Sequence, residues 1–342
     1  MSQDANGNSL PAHCAQYRTI AAPSSDQPTA EQKSRLAKCD SQSLYYGIGK
    51  TADPVSARQC AYVERAAGEN AGHPLSGAAI LAMIYANGEG VPRNYALALK
   101  FACEAGGAPA ESEGRVQHLE HLQTKEHLQT KEHLQQTAKA ATDFDFCDDI
   151  TSGYMQGFCA AKDDRITQAK RDQRLNAIMS RWTAKQKTAF APLEKAADAF
   201  FSEHARSEVD QSGTGRAAFV LDEETKMRNA FVAAISKFEK GDRPRSSAAQ
   251  FRAADSALNA TYANALKATA STNPNSAARA FGTITDDDLR NTQRLWLRYR
   301  DAWVIFGAVK YPSVSADSWR TWATLARTRQ LARFTGPHKP GA

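Results

Sequence analysis

The residues of this chain with the most obvious capacity for chemistry are six cysteines, Cys14, Cys39, Cys60, Cys103, Cys147 and Cys159, all within the first 160 positions. Thiolates that bind zinc or exchange disulfides sit in close pairs a few residues apart, and none of these six does. An even count at loose spacing points to structural disulfides and so to an oxidising compartment. Six buried thiols in a cytosolic protein is the weaker alternative. Cys147 and Cys159 enclose a short loop whose closure contributes about 3 kcal/mol in the chain-entropy picture. Cys14, Cys39, Cys60 and Cys103 allow three connectivities, and the pairing of Cys39 with Cys60 is one option among them.

A metal site is the tempting reading of His118, His121, His127 and His133, which punctuate a tandem hexapeptide, His-Leu-Gln-Thr-Lys-Glu. A six-residue step turns a helix by about 600°, so successive copies do not share a face. Only His118 and His121 do, and a low-complexity helical spacer is the better reading. The glycine-bearing run Ser207 to Arg216 resembles a phosphate cradle in composition only, because the flanking strand and the Lys-Ser/Thr of such loops are missing. Arg300 and Asp301 read as a structural pair, and His73, His204 and His338 are isolated. No nucleophile elbow, zincin motif or phosphate loop occurs. Catalytic, cofactor-binding and metal-ligating residues are therefore expected to be none, and the chain is not read as an enzyme.

The elements that position these residues are helical. Alanine is abundant and runs of β-branched residues are nearly absent, which points to an all-α fold. The most strongly specified helix begins at Thr285, which forms a capping box with Asp288, while Asp286 and Asp287 place negative charge at a helix N-terminus. Leu289, Trp296, Tyr299, Trp303 and Phe306 then recur at steps of three, four and seven, along one buried stripe. Thr183 with Gln186 forms a second capping box. Pro192 either starts a new helix or kinks one.

The segment Ala254-Asp255-Ser256-Ala257-Leu258-Asn259-Ala260-Thr261-Tyr262, followed by a helix carrying Leu289, Gln293, Trp296, Arg300 and Asp301, resembles the LprI-like lysozyme inhibitor domain. A similar pattern runs through Cys147 to Cys159, Leu175-Asn176, Trp182, Leu193, Ala196, Ala197 and Phe200, so two related modules in tandem are expected, at 144–241 and 248–335. The resemblance implies small helical modules, secreted by bacteria, that act on a lysozyme-like target. Where the family pattern ends Arg-Asp-Ala-x-Cys, this chain has Arg300-Asp301-Ala302-Trp303-Val304. Packing by Trp303, Phe306, Trp319 and Trp322 must then replace a disulfide.

Before these modules, residues 1–30 are polar and expected to be a poorly ordered lead. Residues 31–117 contain two units offset by 39 positions, Leu44-Tyr45-Tyr46-Gly47 matching Met83-Ile84-Tyr85-Ala86, and the second is similar to a SEL-one-like repeat. That resemblance implies helix-turn-helix pairs that serve protein interaction. Small residues such as Ala79, Ala82 and Ala86 allow close helix approach, and Asn94 can cap the second helix. Residues 118–143 are the helical spacer. The expected architecture is thus a helical-repeat region followed by two helical-bundle modules.

Length and composition, 342 residues at 42% apolar and 8% aromatic, suit a soluble protein of two or three domains. No apolar run is long enough to span a bilayer. Net charge is +6, and ten of the lysines and arginines lie after Leu289 against only Asp301 and Asp317, leaving the first 288 residues at −2. The C-terminal module is expected to be a basic surface with anionic partners. The function expected is a periplasmic inhibitor or immunity protein that blocks a lysozyme-like peptidoglycan hydrolase, such as a secreted antibacterial effector, with no nucleic acid, cofactor or transmembrane segment involved. A basic projection entering a cleft that holds two catalytic carboxylates supplies the mechanism, and Asp210, Ser212, Thr214, Arg216, Lys310 and Tyr311 are the expected contacts. The alternative is a periplasmic helical-repeat scaffold for envelope assembly. The residues Met-Ser-Gln-Asp-Ala-Asn-Gly-Asn form neither a basic n-region nor an apolar h-region, so the signal peptide that export requires is expected to have been replaced at Met1.

Overall fold

A computed structural model of the chain describes residues 13–68, 73–131, 143–270 and 281–335. Among them there are helices and no strands. In order these are α1 Cys14–Tyr17, α2 Ala30–Arg35, α3 Ser41–Tyr46, α4 Pro54–Ala67, α5 Ala78–Asn87, α6 Tyr95–Ala105, α7 Pro109–Lys131, α8 Gly153–Met179, α9 Ala184–Ser207, α10 Arg216–Glu239, α11 Ala248–Thr269, α12 Asp286–Lys310 and α13 Ala316–Ala332. The chain divides into two compact units, Met1–Ala169 and Lys170–Ala342, with the division inside α8. The expected lead at 1–30 is thus partly outside the described residues, and its later part carries α1.

In the first unit α3 packs with α4, and α5 with α6. Helix α5 is apolar all round, as a helix enclosed on every side must be, and Ala78 to Ala86 are buried without exception. It stops at Gly88, whose left-handed φ of 70° is a conformation that a side chain would oppose. Asn94 then accepts from the Leu97 N–H to start α6. Three disulfides join the unit's periphery to this core: Cys14 to Cys103, Cys39 to Cys60, and Cys147 to Cys159.

Residues 144–159 belong to this first core. Phe144 and Phe146 are buried in it, and Phe144 N–H donates to Asn87 Oδ1 at 2.8 Å. Glu111, itself buried, accepts from the N–H groups of Thr151 and Ser152. Position 144, where the sequence pattern opens a new module, is therefore held by the preceding helices.

The second unit is organised on α9 and α12, which run antiparallel: Trp182 and Phe190 meet Phe306 near one end, and Phe200 meets Tyr299 further along. Capping boxes at Thr183/Gln186, Ser247/Gln250 and Thr285/Asp288 start α9, α11 and α12. Helix α9 continues through Pro192. The fully buried Trp303 stacks on Trp319 at 5.6 Å and meets Trp322 edge-on at 5.2 Å, one residue before Val304, which stands where the family pattern has cysteine. Leu193, Phe200, Phe231 and Ile235 share one core with Leu258, Leu289, Trp296 and Trp303. Within this unit, the part of the 144–241 segment from Trp182 to Phe238 and the part of the 248–335 segment from Leu258 to Phe334 thus bury their apolar faces against each other.

Candidate protein-binding surface

The loop from α9 to α10, residues 208–215, is braced at its base and exposed at its tip. Glu208 ends α9 and is 1% exposed. Arg327 of α13 donates to both of its carboxylate oxygens, at 2.5 and 3.0 Å, and Gln293 of α12 accepts from Arg327 Nε at 2.9 Å. Arg333 donates to the Glu208 carbonyl at 2.6 Å, and the buried His204 lies 3.1 Å from the Glu208 carboxylate and 3.2 Å from Glu223. Burial alone would raise the Glu208 carboxyl, but the Arg327 charge, then the hydrogen bond and charge of His204, outweigh it and hold the group far below the usual range. Glu223 is also held low, first by its hydrogen bond with His204, against the opposing effect of burial.

Further along, Asp210 accepts from the Ser212 N–H at 3.0 Å, the Ser212 hydroxyl at 2.7 Å and the Thr283 N–H at 3.1 Å. The close approach depends on Gly282, where a Cβ would overlap the Asp210 carboxylate. Of the expected contacts, Asp210 and Ser212 spend their polar atoms inside this lock. Thr214 and Arg216 are exposed, and Arg216 Nη1 donates to the Gly213 carbonyl at 3.1 Å.

The loop after α12 is different. Tyr311 is 2% exposed and its hydroxyl donates to Glu239 at 2.7 Å, so the ring is a core residue and not a partner contact. Its burial, and then the Glu239 carboxylate, raise its pKa. Lys310 lies 3.3 Å from Glu239 and over the Trp182 ring, with its side chain mostly covered. Both residues are expected at a partner surface as part of a basic projection; the aromatic cluster and Glu239 draw them inward. The two loops lie at opposite ends of α12, which at 25 residues is about 36 Å long. A single narrow cleft cannot take both.

The C-terminal cations are largely consumed within the fold. Arg327 and Arg333 face Glu208, Lys310 faces Glu239, Arg320 faces Asp317, Arg300 faces Asp301, and Arg290 faces Asp286 and Asp287. Arg294 and Arg298 on α12, Arg329 on α13 and Arg216 are exposed and have no carboxylate partner among the described residues. Two exposed apolar side chains, Leu297 and Ile305, flank Arg298 and Asp301 along the outward face of α12. Unpaired cations interleaved with exposed apolar groups suit a protein contact with an acidic partner.

The histidine run places His118 3.0 Å from Asp149 and edge-on to Phe144, while His121 is exposed and His133 lies outside the described residues. Cys39, Cys60 and Glu64 bring three donor atoms together, but the two sulfurs are bonded to each other. The sequence did not reveal the His204, Glu208 and Arg327 network; the four-residue step from His204 to Glu208 is its only local trace.

Residues 240–336 match the family model of the lysozyme inhibitor LprI. The match covers α11, α12 and α13, and therefore the outward face of α12 and the exposed Arg329, while the 208–215 loop lies before it. No curated protein and no solved structure matches the chain. No helix among the described residues is long and apolar enough to cross a membrane.

Proposed function

We propose that this protein inhibits a lysozyme-like peptidoglycan hydrolase by binding it, outside the cytoplasm and in the periplasm, with no reaction of its own. The match of residues 240–336 to lysozyme inhibitors carries the reading, and the three disulfides support an oxidising location. Glycosidases of this class hold two carboxylates in an open cleft, one of them ionised, so an inhibitor presenting unpaired cations gains both encounter rate and register. Arg216, Arg294 and Arg298 supply that charge, Leu297 and Ile305 supply apolar contact, and the braced 208–215 loop loses little freedom on binding. A secreted antibacterial effector is the target class we favour, because the first unit adds a second surface that an inhibitor of host lysozyme does not need.

Titrating the protein into lysozyme-type hydrolases acting on cell-wall substrate tests the proposal. Stoichiometric inhibition is expected, with Arg216→Glu and the Arg294→Glu/Arg298→Glu pair each raising the half-inhibitory concentration at least tenfold. Absence of inhibition and of any complex, across chicken-type, goose-type and phage-type lysozymes and the hydrolase encoded beside this gene, would sink it.

A further inference from the structure

Between α10 and α13 the second unit holds a cleft of about 280 Å³ that the inhibitor reading does not use. Its floor is aromatic: Phe200 and Phe201 from α9, Trp296 and Tyr299 from α12. Its width comes from small side chains, Ala230 on one wall facing Ala323 and Ala326 on the other. Contacts between α10 and α13 bracket it. Phe238 meets Trp319 at 5.1 Å and Trp322 at 5.4 Å at one end, and Arg333 reaches Glu223 at 3.8 Å at the other. The cleft is therefore a slot along the α10–α13 groove, bracketed by an aromatic cluster and an ion pair.

Water in such a slot finds few partners, and an apolar group that displaces it gains both hydration free energy and dispersion contact with the rings. The polar lining is confined to the walls. Arg327 is already saturated by Glu208, Gln293 and Gln330. Lys226 is not: its side chain is 73% exposed, and its carboxylate neighbour Glu223, 3.7 Å away, is already held by His204 and Arg333. The slot thus offers aromatic surface along its length and one loosely held cation at its mouth.

We propose that this cleft binds a free single-chain amphiphile ending in an acid, of the size of a medium-chain carboxylate, with its chain on the aromatic floor and its anion at Lys226. The volume of about 280 Å³ lies just below the usual range for small-molecule sites, which limits the chain to medium length.

Octanoate and octanol are the probes, followed through the fluorescence of the tryptophans that line and adjoin the slot. Octanoate is expected to give a saturable change. Ala230→Phe, at an exposed position, narrows the mouth and should weaken octanoate at least tenfold. Lys226→Glu should weaken octanoate about fivefold, the scale of one exposed ion pair, and leave octanol unchanged. A linear response to octanoate, or equal octanoate affinity in the parent and Ala230→Phe proteins with matching circular dichroism and thermal midpoint, would overturn the assignment. Equal weakening of octanoate and octanol by Lys226→Glu would overturn the placement of the anion.

Discussion

Arg327 and Glu208, 119 residues apart in sequence, form a two-point ion pair in which both side chains are fully excluded from solvent. The pair fastens α13 to the end of α9, and so joins the segment that matches lysozyme inhibitors to the exposed loop that precedes it. Taking two charges out of water is costly, and the attraction repays it only when the remaining donors and acceptors are satisfied. Gln293, Arg333 and His204 do this here.

Removing one partner leaves the other uncompensated. Glu208→Gln is expected to destabilise the second unit by about 3–5 kcal/mol, the usual cost of breaking a buried pair from one side. The double variant Glu208→Gln/Arg327→Met should recover part of that loss, because the stranded charge is gone. Urea denaturation followed by tryptophan fluorescence measures both; equal or additive losses would mean that the pair is not the relevant interaction.

Acid should act on the same network. Glu208, Glu223 and Asp210 all have carboxyl groups held below their usual range: Glu208 chiefly by Arg327 against burial, Glu223 chiefly by His204, and Asp210 by the N–H and hydroxyl donors of Ser212 and Thr283 against burial. A group with a lower pKa in the folded state binds fewer protons there than when unfolded. Its stabilisation is complete above the unfolded value, about 4.3 for glutamate, and is lost as pH falls through the folded value. The urea midpoint of the second unit is therefore expected to be flat from pH 8 to about 5 and to fall below that. In Glu208→Gln the midpoint starts lower and falls less steeply.

The helices and their starts were legible because their causes are local. Thr183, Thr285 and the aromatic stripe from Leu289 to Phe306 each act within one or two turns, and the structure uses them in that way. The Arg327 and Glu208 pair was not legible, since nothing near either residue reveals the other, and Arg327 read as one more surface cation. The inward placement of Tyr311 was hidden for a related reason: its ring closes against Phe238 and Trp319, which other helices supply. The division within α8 left no mark either, because a continuous polar helix carries no boundary signal.

Reduction should separate the two units. All six cysteines lie before residue 160 and all five tryptophans after residue 181, so thiol reagents act on the first unit and tryptophan fluorescence reports on the second. The Cys14 to Cys103 bridge spans 89 residues, and its loss costs roughly 4–5 kcal/mol in the chain-entropy picture, more than the 21-residue Cys39 to Cys60 loop. Dithiothreitol is expected to bring part of the far-ultraviolet circular dichroism transition to lower urea while the tryptophan transition stays in place. A tryptophan transition that moves with reductant would show that the units unfold together.

Gly307 tests how tightly the aromatic core is packed. In an ordinary helix interior, replacing glycine by alanine stabilises by about 1 kcal/mol, through lower entropy in the unfolded chain. Gly307 lies inside α12, but a Cβ there would press into the indole of Trp319. Trp319 is fully buried between Trp303 and Phe238, so the ring has no free direction in which to move. Overpacking of this kind costs about 1–3 kcal/mol and outweighs the helical gain. Gly307→Ala is therefore expected to lower the stability of the second unit by up to about 2 kcal/mol, against the sign that helix propensity alone gives. Adding Trp319→Phe, which removes the indole edge, should restore part of the loss. Stabilisation by Gly307→Ala alone, read from the urea midpoint, would show that the Trp303 and Trp319 stack yields readily.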